Sequence, residues 1–367
     1  MAGTDTVYMR RALTLAERGW GNTAPNPLVG AVVVASDVIV GEGFHARFGE
    51  AHGEINALRE AGNRGRGATM YVSLEPCNHH GKTPPCTDAI IAAGIAEVVT
   101  PVRDPSAIAR GGIERLRGAG IGVRMGVERA RALELNAPFF NAQVSDRPWV
   151  TLKLALSADG AIADPSGAER WITGPEARAY VHHLRANADA IAVGSGTVLV
   201  DDPSLTVRDA PPPRVPPRRV VFDRRLKTPM SSRLVQSARE IPTIIYTLGS
   251  ETSDANRRAL EEHGVHVDTD ARDLRSALRS LRAAGVRSLF VESGPRLTGA
   301  LLRESVVDRV IMFRSELLLG ADAPRAFAEA PPDFEASLAR MPVVDRRQFG
   351  DDQMTIYALR DVPCSPD

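Results

Sequence analysis

His52, Cys77 and Cys86 offer one imidazole and two thiols, a ligand set that holds zinc through three protein atoms and leaves a fourth position for water. Glu54 stands two residues beyond the histidine, where a carboxyl group can carry protons beside that water. Zinc held this way lowers the pKa of its water, so the chemistry on offer is hydrolytic attack on an amidine-like ring carbon. Glu54 would take a proton from the water, pass it to a ring nitrogen and assist the departure of ammonia. Cys86 precedes a predicted helix, and a helix N-terminus favours the thiolate. Two other readings compete: a closed structural zinc site with His79 or His80 as fourth ligand, and buried cysteines with no metal. Glu54 at this spacing, with Pro76 directly before Cys77, favours catalysis.

A His-x-Glu followed by Pro-Cys and a second cysteine resembles the zinc-dependent deaminases of nucleobases and related rings. In many members that act on tRNA bases the cysteines stand as Pro-Cys-x-x-Cys. Here they are nine positions apart, and His79, His80 and Lys82 lie between them. Imidazoles and an ammonium beside a metal suit an anionic ligand, with phosphate the natural choice.

The pattern of apolar residues supplies the elements that must position these groups. Residues 5–19 read as an amphipathic helix ending at Gly19, followed by the rigid turn Ala24-Pro25-Asn26-Pro27. Runs 29–35 and 38–44 read as a hairpin with His45 at its end. A helix is expected over 52–61, a strand over 68–74 leading into Cys77, and then helices over 87–93, 112–119 and 128–136 alternating with strands over 95–100 and 121–124. This alternation implies an α/β layered domain ending near residue 145, with 141–147 as linker. Strands at 149–156, 189–194, 219–223, 241–247, 288–292 and 308–313, with helices at 174–186, 253–263, 274–284 and from 297, imply a second α/β domain. Residues 211–219, PPPRVPPRR, read as a solvated surface loop.

Composition narrows the partners. Lys+Arg and Asp+Glu are both 45 in 367 residues, and aromatics are 5%, which argues against a nucleic-acid-editing enzyme with a basic groove and stacking rings. Three cysteines, an N-terminus without a signal-peptide core and no apolar run of ~20 residues point to a cytoplasmic protein without a membrane span. A zinc-stabilised scaffold that merely binds nucleotide is the non-enzymatic alternative.

The stretches PNPLVG, GFH with HGEINAL, and LEPCNHHGKTPPC resemble the bifunctional deaminase-reductase family of riboflavin biosynthesis. The resemblance implies a cytidine-deaminase-like three-layer domain over 1–145 and a reductase domain over 146–367. It implies one zinc on His52, Cys77 and Cys86, with Glu54 as catalytic proton carrier. Asn26, His45, His79 and Lys82 would hold a phosphorylated pyrimidine. LKLALSADGAIA, WITGPEAR, LRANADAIAVGSGTVLVDDPSLTVR and VESGPRLTGALL resemble the family's reductase half, whose fold is like that of dihydrofolate reductase and whose cofactor is NADPH. Matching positions imply cofactor contacts from Ala155, Trp171, Thr197, Asp201, Gly294, Pro295, Arg296, Leu297, Thr298, Gly299 and Ala300. They imply substrate contacts from Lys153, Arg185, Leu205, Arg208 and Glu292, with Lys153 and Asp201 near the reacting sugar. A homo-oligomer, dimer or tetramer, is expected.

The residues alone agree in part. Arginines at 185 and 208 can fork onto a phosphate, and Gly294-Pro295 is a glycine turn opening a helix. Gly194-Ser195-Gly196 lacks the third glycine of a Rossmann fingerprint. Four positions depart from the family pattern: Gly53 replaces the usual alanine, 104–112 is shorter and lacks an asparagine, Glu169 replaces a serine, and Arg224 replaces a small hydroxyl residue. Arg224 is expected to approach the cofactor's 2′-phosphate.

Overall fold

The structure, a computed structural model, describes residues 2–166, 169, 171–249 and 253–364. The chain forms two compact units, residues 2–144 with 362–364 and Ser145–Asp361. The tail that the sequence reading assigns to the second part thus counts, where described, with the first, and Val362 packs on the first unit's core.

The first unit runs α1 (Ala2–Glu17), β1 (Gly30–Ala35), β2 (Val38–Phe44), α2 (Gly53–Ala61), β3 (Thr69–Val72), α3 (Cys86–Ala93), β4 (Glu97–Thr100), α4 (Gly112–Gly118), β5 (Gly122–Met125), α5 (Arg129–Leu135) and α6 (Ala137–Val144). Its sheet has the order β2-β1-β3-β4-β5. β1 is antiparallel to both neighbours, and β3, β4 and β5 are parallel. Side chains alternate across a strand, so a sheet covered on both faces needs continuous apolar runs such as GAVVVA. Val32, Val34 and Val99 meet Met9, Ala12 and Leu13 of α1, with Ala132 and Phe140 of α5 and α6. Ala31, Val33, Met70 and Val98 meet Ala57 of α2, Ile90 of α3 and Leu116 of α4. The result is three layers. A Cβ at Gly43 of β2 would stand 2.3 Å from the Ala57 nitrogen, so glycine there lets α2 lie directly on the strand. That contact seats the N-terminus of α2, where His52 and Glu54 are.

The second unit runs β6 (Trp149–Leu156), α7 (Pro175–Ala186), β7 (Ala190–Gly194), α8 (Ser195–Asp201), β8 (Arg218–Phe222), α9 (Arg233–Gln236), β9 (Thr243–Tyr246), α10 (Asp254–Glu262), β10 (His266–Asp268), α11 (Leu274–Ala283), β11 (Ser288–Glu292), α12 (Pro295–Arg303), β12 (Arg309–Arg314), α13 (Phe334–Ser337), β13 (Val343–Phe349) and β14 (Asp352–Ala358). The sheet order is β10-β9-β8-β7-β11-β6-β12-β14-β13, parallel from β10 to β12 and antiparallel beyond. After β7 the chain moves outward to β8, and after β11 it moves the other way to β12. The carboxyl ends of these adjacent strands therefore flank a crevice of the kind that binds ligands in open α/β sheets. The even-numbered residues 150–156 of β6 pack on α11 and α12. Lys153 and Ala155 lie on the opposite face, with Phe290 and Phe313 of the strands beside them.

The structure departs from the sequence expectations in several places. The segment 141–147 is not an open linker: its first four residues end α6, and Asn141 is buried. The helix expected over 128–136 is α5, but a second, unexpected helix, α6, follows directly from Ala137. Arg219, read both as the end of the solvated loop and as the start of a strand over 219–223, is wholly buried in β8, with its guanidinium donating to the hydroxyls of Thr243 and Ser237 and the carbonyls of Leu234 and Ile241. The strand expected from 219 begins one residue earlier, inside the run of prolines and arginines. The pair β13–β14 goes unpredicted because β13 carries Asp345, Arg346 and Arg347 in sequence and has no alternation to read. It completes the sheet, and Asp352 accepts a hydrogen bond from the Gly174 nitrogen at 2.7 Å.

Candidate active sites

His52 is the extended N-cap of α2, and Cys86 is the first residue of α3. Cys77 lies in the turn that leaves β3. These three elements bring His52 Nδ1 to 3.6 Å from Cys77 Sγ and 3.3 Å from Cys86 Sγ. All three ligand atoms lie within 4.8 Å of one another. Neither His79 nor His80 joins them, so the closed four-ligand alternative is not what the fold builds. The Cys86 backbone nitrogen donates to Cys77 Sγ at 3.4 Å. Hydrogen bonding with Cys86 Sγ and then with His52 lowers the Cys77 pKa, while Cys86 is driven upward by Cys77 and by burial. Two buried thiols this close share one proton unless a cation between them stabilises both thiolates. The donor set fits a thiophilic dication such as zinc.

Glu54, buried in the first turn of α2, has a carboxyl oxygen with no hydrogen-bond partner. Burial, reinforced by the Cys77 thiolate, pushes the group up to about 7. A carboxyl poised there, beside a metal-binding cluster, suits proton transfer in both directions near neutral pH.

The other residues expected around the ring form a wall. Asn26 Nδ2 lies 3.2 Å from His45 Nε2, and His45 Nδ1 lies 3.2 Å from the Ala51 carbonyl. The His45 and His52 rings meet edge-on with centroids 5.1 Å apart. Burial, with a smaller contribution from His52, lowers the His45 pKa. His79 is half-buried with Nδ1 unpartnered, and Lys82 is exposed with Nζ 4.2 Å from the centre of the Phe48 ring. Sequence reasoning missed three residues here. Asn136 clamps the backbone of Leu28, two residues past Asn26. Glu75 accepts three backbone N–H bonds from the 104–113 segment, and buried Asp104 accepts one from Ser106. Glu75 lies inside the quoted LEPC stretch, whereas nothing in the local sequence marks Asn136.

In the second unit, Lys153 and Glu292 are register partners on β6 and β11, with Nζ and Oε2 3.9 Å apart. Arg185 reaches down from α7 to Glu292 Oε1 at 2.5 Å and donates to the Thr206 carbonyl at 3.1 Å. Burial alone would raise Glu292, but Arg185 and then Lys153 outweigh it and hold the carboxyl down at about 2. Burial lowers the Lys153 pKa. Leu205 is buried at φ 48°, and Arg208 is exposed with Nη1 3.4 Å from Thr206 Oγ1. The Arg208 nitrogen donates to His182 Nδ1 at 3.0 Å, a residue the sequence reading did not single out, although it stands one helical turn before Arg185.

The residues expected to hold the cofactor divide. Gly294 is the extended N-cap of α12, and the first turn presents the Arg296 and Leu297 N–H groups. The Leu297 Cβ lies 3.6 Å from where a Cβ on Gly194 would be, so the ends of β7 and β11 adjoin there. A Cβ at Gly294 or Gly196 would meet nothing within 4 Å, which leaves space beside both helix starts. Thr298 and Gly299 face inward instead. Thr298 Oγ1 is 3.1 Å from Ser293 Oγ, and Gly299 packs against the Glu329 backbone. Ala300 packs on the core. Thr197 and Asp201 lie on α8 and Ala155 on β6. Trp171 is exposed under the Arg178 guanidinium, in a cleft of about 560 Å³ also lined by Thr173, Glu316, Phe349 and Asp351.

Residues 3–101 match the cytidine and deoxycytidylate deaminase zinc-binding region, and residues 148–352 match the RibD C-terminal domain. The chain belongs to the RibD family. The RibD protein of Aquifex aeolicus is 43% identical over 86% of this chain and 88% of its own. The solved RibD of Acinetobacter baumannii, form 1, is 35% identical with a TM-score of 0.80, covering 98% of this chain and 99% of that one. The Thermotoga maritima deaminase/reductase is 34% identical with a TM-score of 0.81, covering 97% and 99%. RibD membership makes the chain a bifunctional enzyme of riboflavin biosynthesis, with a zinc-binding deaminase domain of cytidine-deaminase-like fold and a RibD reductase domain. Among the described residues no helix is long and apolar enough to cross a membrane.

Proposed function

We propose that the first unit deaminates 2,5-diamino-6-(5-phosphoribosylamino)pyrimidin-4(3H)-one and that the second reduces the ribose of the resulting 5-amino-6-(5-phosphoribosylamino)uracil. The Thermotoga relative carries the two corresponding activities in its name. The observation that carries the first step is the cluster of His52, Cys77 and Cys86 with the buried Glu54 carboxyl beside it, one oxygen of which has no hydrogen-bond partner. Zinc bound by these three residues supplies Lewis acidity that makes water nucleophilic at neutral pH. Glu54 takes a proton from the attacking water, hands it to a ring nitrogen, and later protonates the amino group so that it leaves as ammonia. Asn26 and His45 orient the ring by hydrogen bonding. His79 and Lys82 supply the donors for the ribose phosphate, and neither has a fixed hydrogen-bond partner competing for it.

For the second step NADPH is assigned to the crevice at the ends of β7 and β11; the reading is supported by the starts of α8 and α12, which offer backbone N–H groups and open space to a pyrophosphate. NADPH supplies the hydride that reduces C1′ of the sugar. Lys153 and Asp201 are assigned to the reacting sugar, and Glu292 to its hydroxyls. The ion pair with Arg185 keeps Glu292 an acceptor throughout the neutral range. Arg185 is engaged with Glu292 and Thr206, so the exposed fork of Arg208 is the better phosphate ligand. The enzyme acts on a small phosphorylated molecule rather than nucleic acid, works in the cytoplasm, and assembles as a dimer or tetramer.

Glu54→Gln tests the first step. It removes the proton carrier and keeps size and helix position. Ammonia release is expected to fall by at least ~10²-fold, with zinc still bound and NADPH oxidation on the deaminated substrate unchanged. Deamination at the parent rate would sink the assignment.

A further inference from the structure

We propose that Glu75 is a positioning residue of the deaminase centre, tying the 104–113 segment onto the turn that carries Cys77 so that this segment forms the wall behind the two thiols. The proposal rests on the reading of His52, Cys77 and Cys86 as zinc ligands. Glu75 is 3% exposed and stands two residues before Cys77. Its Oε2 accepts from the Asp104 nitrogen at 2.9 Å. Its Oε1 accepts from the nitrogens of Gly111 at 3.1 Å and Ile113 at 3.0 Å. One carboxyl group thus holds both ends of a segment whose residues 107–111 have no regular element of their own.

The same segment is stitched to the metal turn at other points. The Asn78 nitrogen donates to the Ala109 carbonyl at 3.1 Å, and just ahead of the segment the Glu75 nitrogen donates to the Val102 carbonyl at 3.1 Å. Gly112 sits so close to the Pro76 carbonyl that a Cβ there would lie 1.9 Å from its oxygen. Asn78 Oδ1 accepts from Thr87 Oγ1 at 3.0 Å, which joins the turn to α3 next to Cys86. The product of this lacing is Ala109, 8% exposed and packed with Cys77, Cys86 and Ile55 in one small apolar cluster. A wall that excludes water from metal-bound thiolates slows exchange of the metal, and groups that orient the ligands contribute to its retention. The sequence of 104–112 departs from its family's pattern, yet Glu75 bonds only to backbone N–H groups of this segment. Its hold therefore does not depend on which side chains the segment carries.

The test uses the full-length zinc-loaded chain. Glu75→Gln keeps the side chain's size but replaces one acceptor oxygen with an N–H donor facing backbone N–H groups. Release of zinc to a chelating dye is expected to accelerate by about 10–100-fold, with ammonia release per loaded zinc reduced and NADPH oxidation on the deaminated substrate unchanged. Coupling is reciprocal, so removing zinc from the parent chain is expected to cut hydrogen-exchange protection at the Asp104, Gly111 and Ile113 amides at least about tenfold and to leave the β1 amides as they were. This second measurement needs no variant and decides the matter if Glu75→Gln does not fold. Protection at those three amides that is the same with and without zinc would overturn the proposal, as would unchanged zinc release from a folded variant. A parent chain that binds no zinc at all would overturn the zinc reading itself, and the proposal with it.

Discussion

Asn136 offers the sharpest test of how the deaminase wall is built. Its side-chain oxygen accepts from the Leu28 nitrogen at 2.8 Å, and its amide nitrogen donates to the Leu28 carbonyl at 2.9 Å. The residue is 4% exposed, so water does not replace either bond. Asn136→Ala leaves one backbone donor and one acceptor unsatisfied. At ~1–3 kcal/mol for each, the loss comes to about 2–6 kcal/mol, a large share of the ~5–15 kcal/mol that holds a typical domain together. Asn136→Asp separates the two bonds. It keeps the acceptor for Leu28 N–H but sets an oxygen against the Leu28 carbonyl, and it donates there only when protonated. The Asp variant's folded carboxyl therefore titrates above its unfolded value, and its deficit shrinks as pH falls. The assay is native-state hydrogen exchange of the β1 amides, which reports opening of the first unit. Alongside it, the deaminase KM is measured, because Leu28 fixes the strand of chain that presents Asn26 to His45. A lower opening free energy and a raised KM are expected, with reductase kinetics unchanged. An Asn136→Ala chain within ~0.5 kcal/mol of the parent and with the parent's KM would refute the reasoning.

Two further outcomes concern the reductase. Burial and then the Arg185 charge lower the His182 pKa, and its Nδ1 must stay unprotonated to accept from the Arg208 nitrogen. A depressed histidine pKa stabilises the folded state above the unfolded value of ~6.5 and ceases to do so as pH falls through the folded value. The reductase KM is thus expected to rise as pH falls through the folded His182 pKa, which lies below ~6.5. His182→Asn, which presents an oxygen as acceptor, is expected to flatten the rise by comparison with the parent, and equal pH profiles would count against the role. Arg224 is exposed directly after Asp223 at the carboxyl end of β8. Arg224→Ser is expected to reduce the preference for NADPH over NADH by about 10–100-fold, the worth of a charged hydrogen bond or two, and an unchanged ratio in steady-state kinetics would remove it from the cofactor site.

The meeting of His52, Cys77 and Cys86 was legible because a possible ligand set is written in side-chain types at short range: His52 and Glu54 share a helix start, and Cys77 and Cys86 flank a proline-rich loop. Elements with strong periodicity were legible for the same reason, and the range of β6 coincides with its expected one. What escaped depends on partners far along the chain. Asn136 acts on a residue 108 positions away, and Glu75 acts through backbone groups that any sequence would offer. Arg219 looks solvated among its neighbours and is buried only because α9 and β9 fold over it. β13 carries the charges of an exposed sheet edge, so it shows no core-facing pattern. The inward turn of Thr298 and Gly299 likewise follows from packing against the 329 backbone, which motif matching does not see.

The most direct test of the account follows both products in one vessel. Purified full-length chain, zinc, the diamino pyrimidine ribotide and NADPH are combined, and ammonia and NADPH are measured together over time. Ammonia release is expected to come first, with NADPH consumption following to an equal final amount. Stripping zinc is expected to stop both on the diamino substrate while leaving NADPH oxidation intact on the deaminated one. NADPH consumption on the diamino substrate without prior ammonia release, or ammonia release with no NADPH consumption after it, would contradict the two-site order.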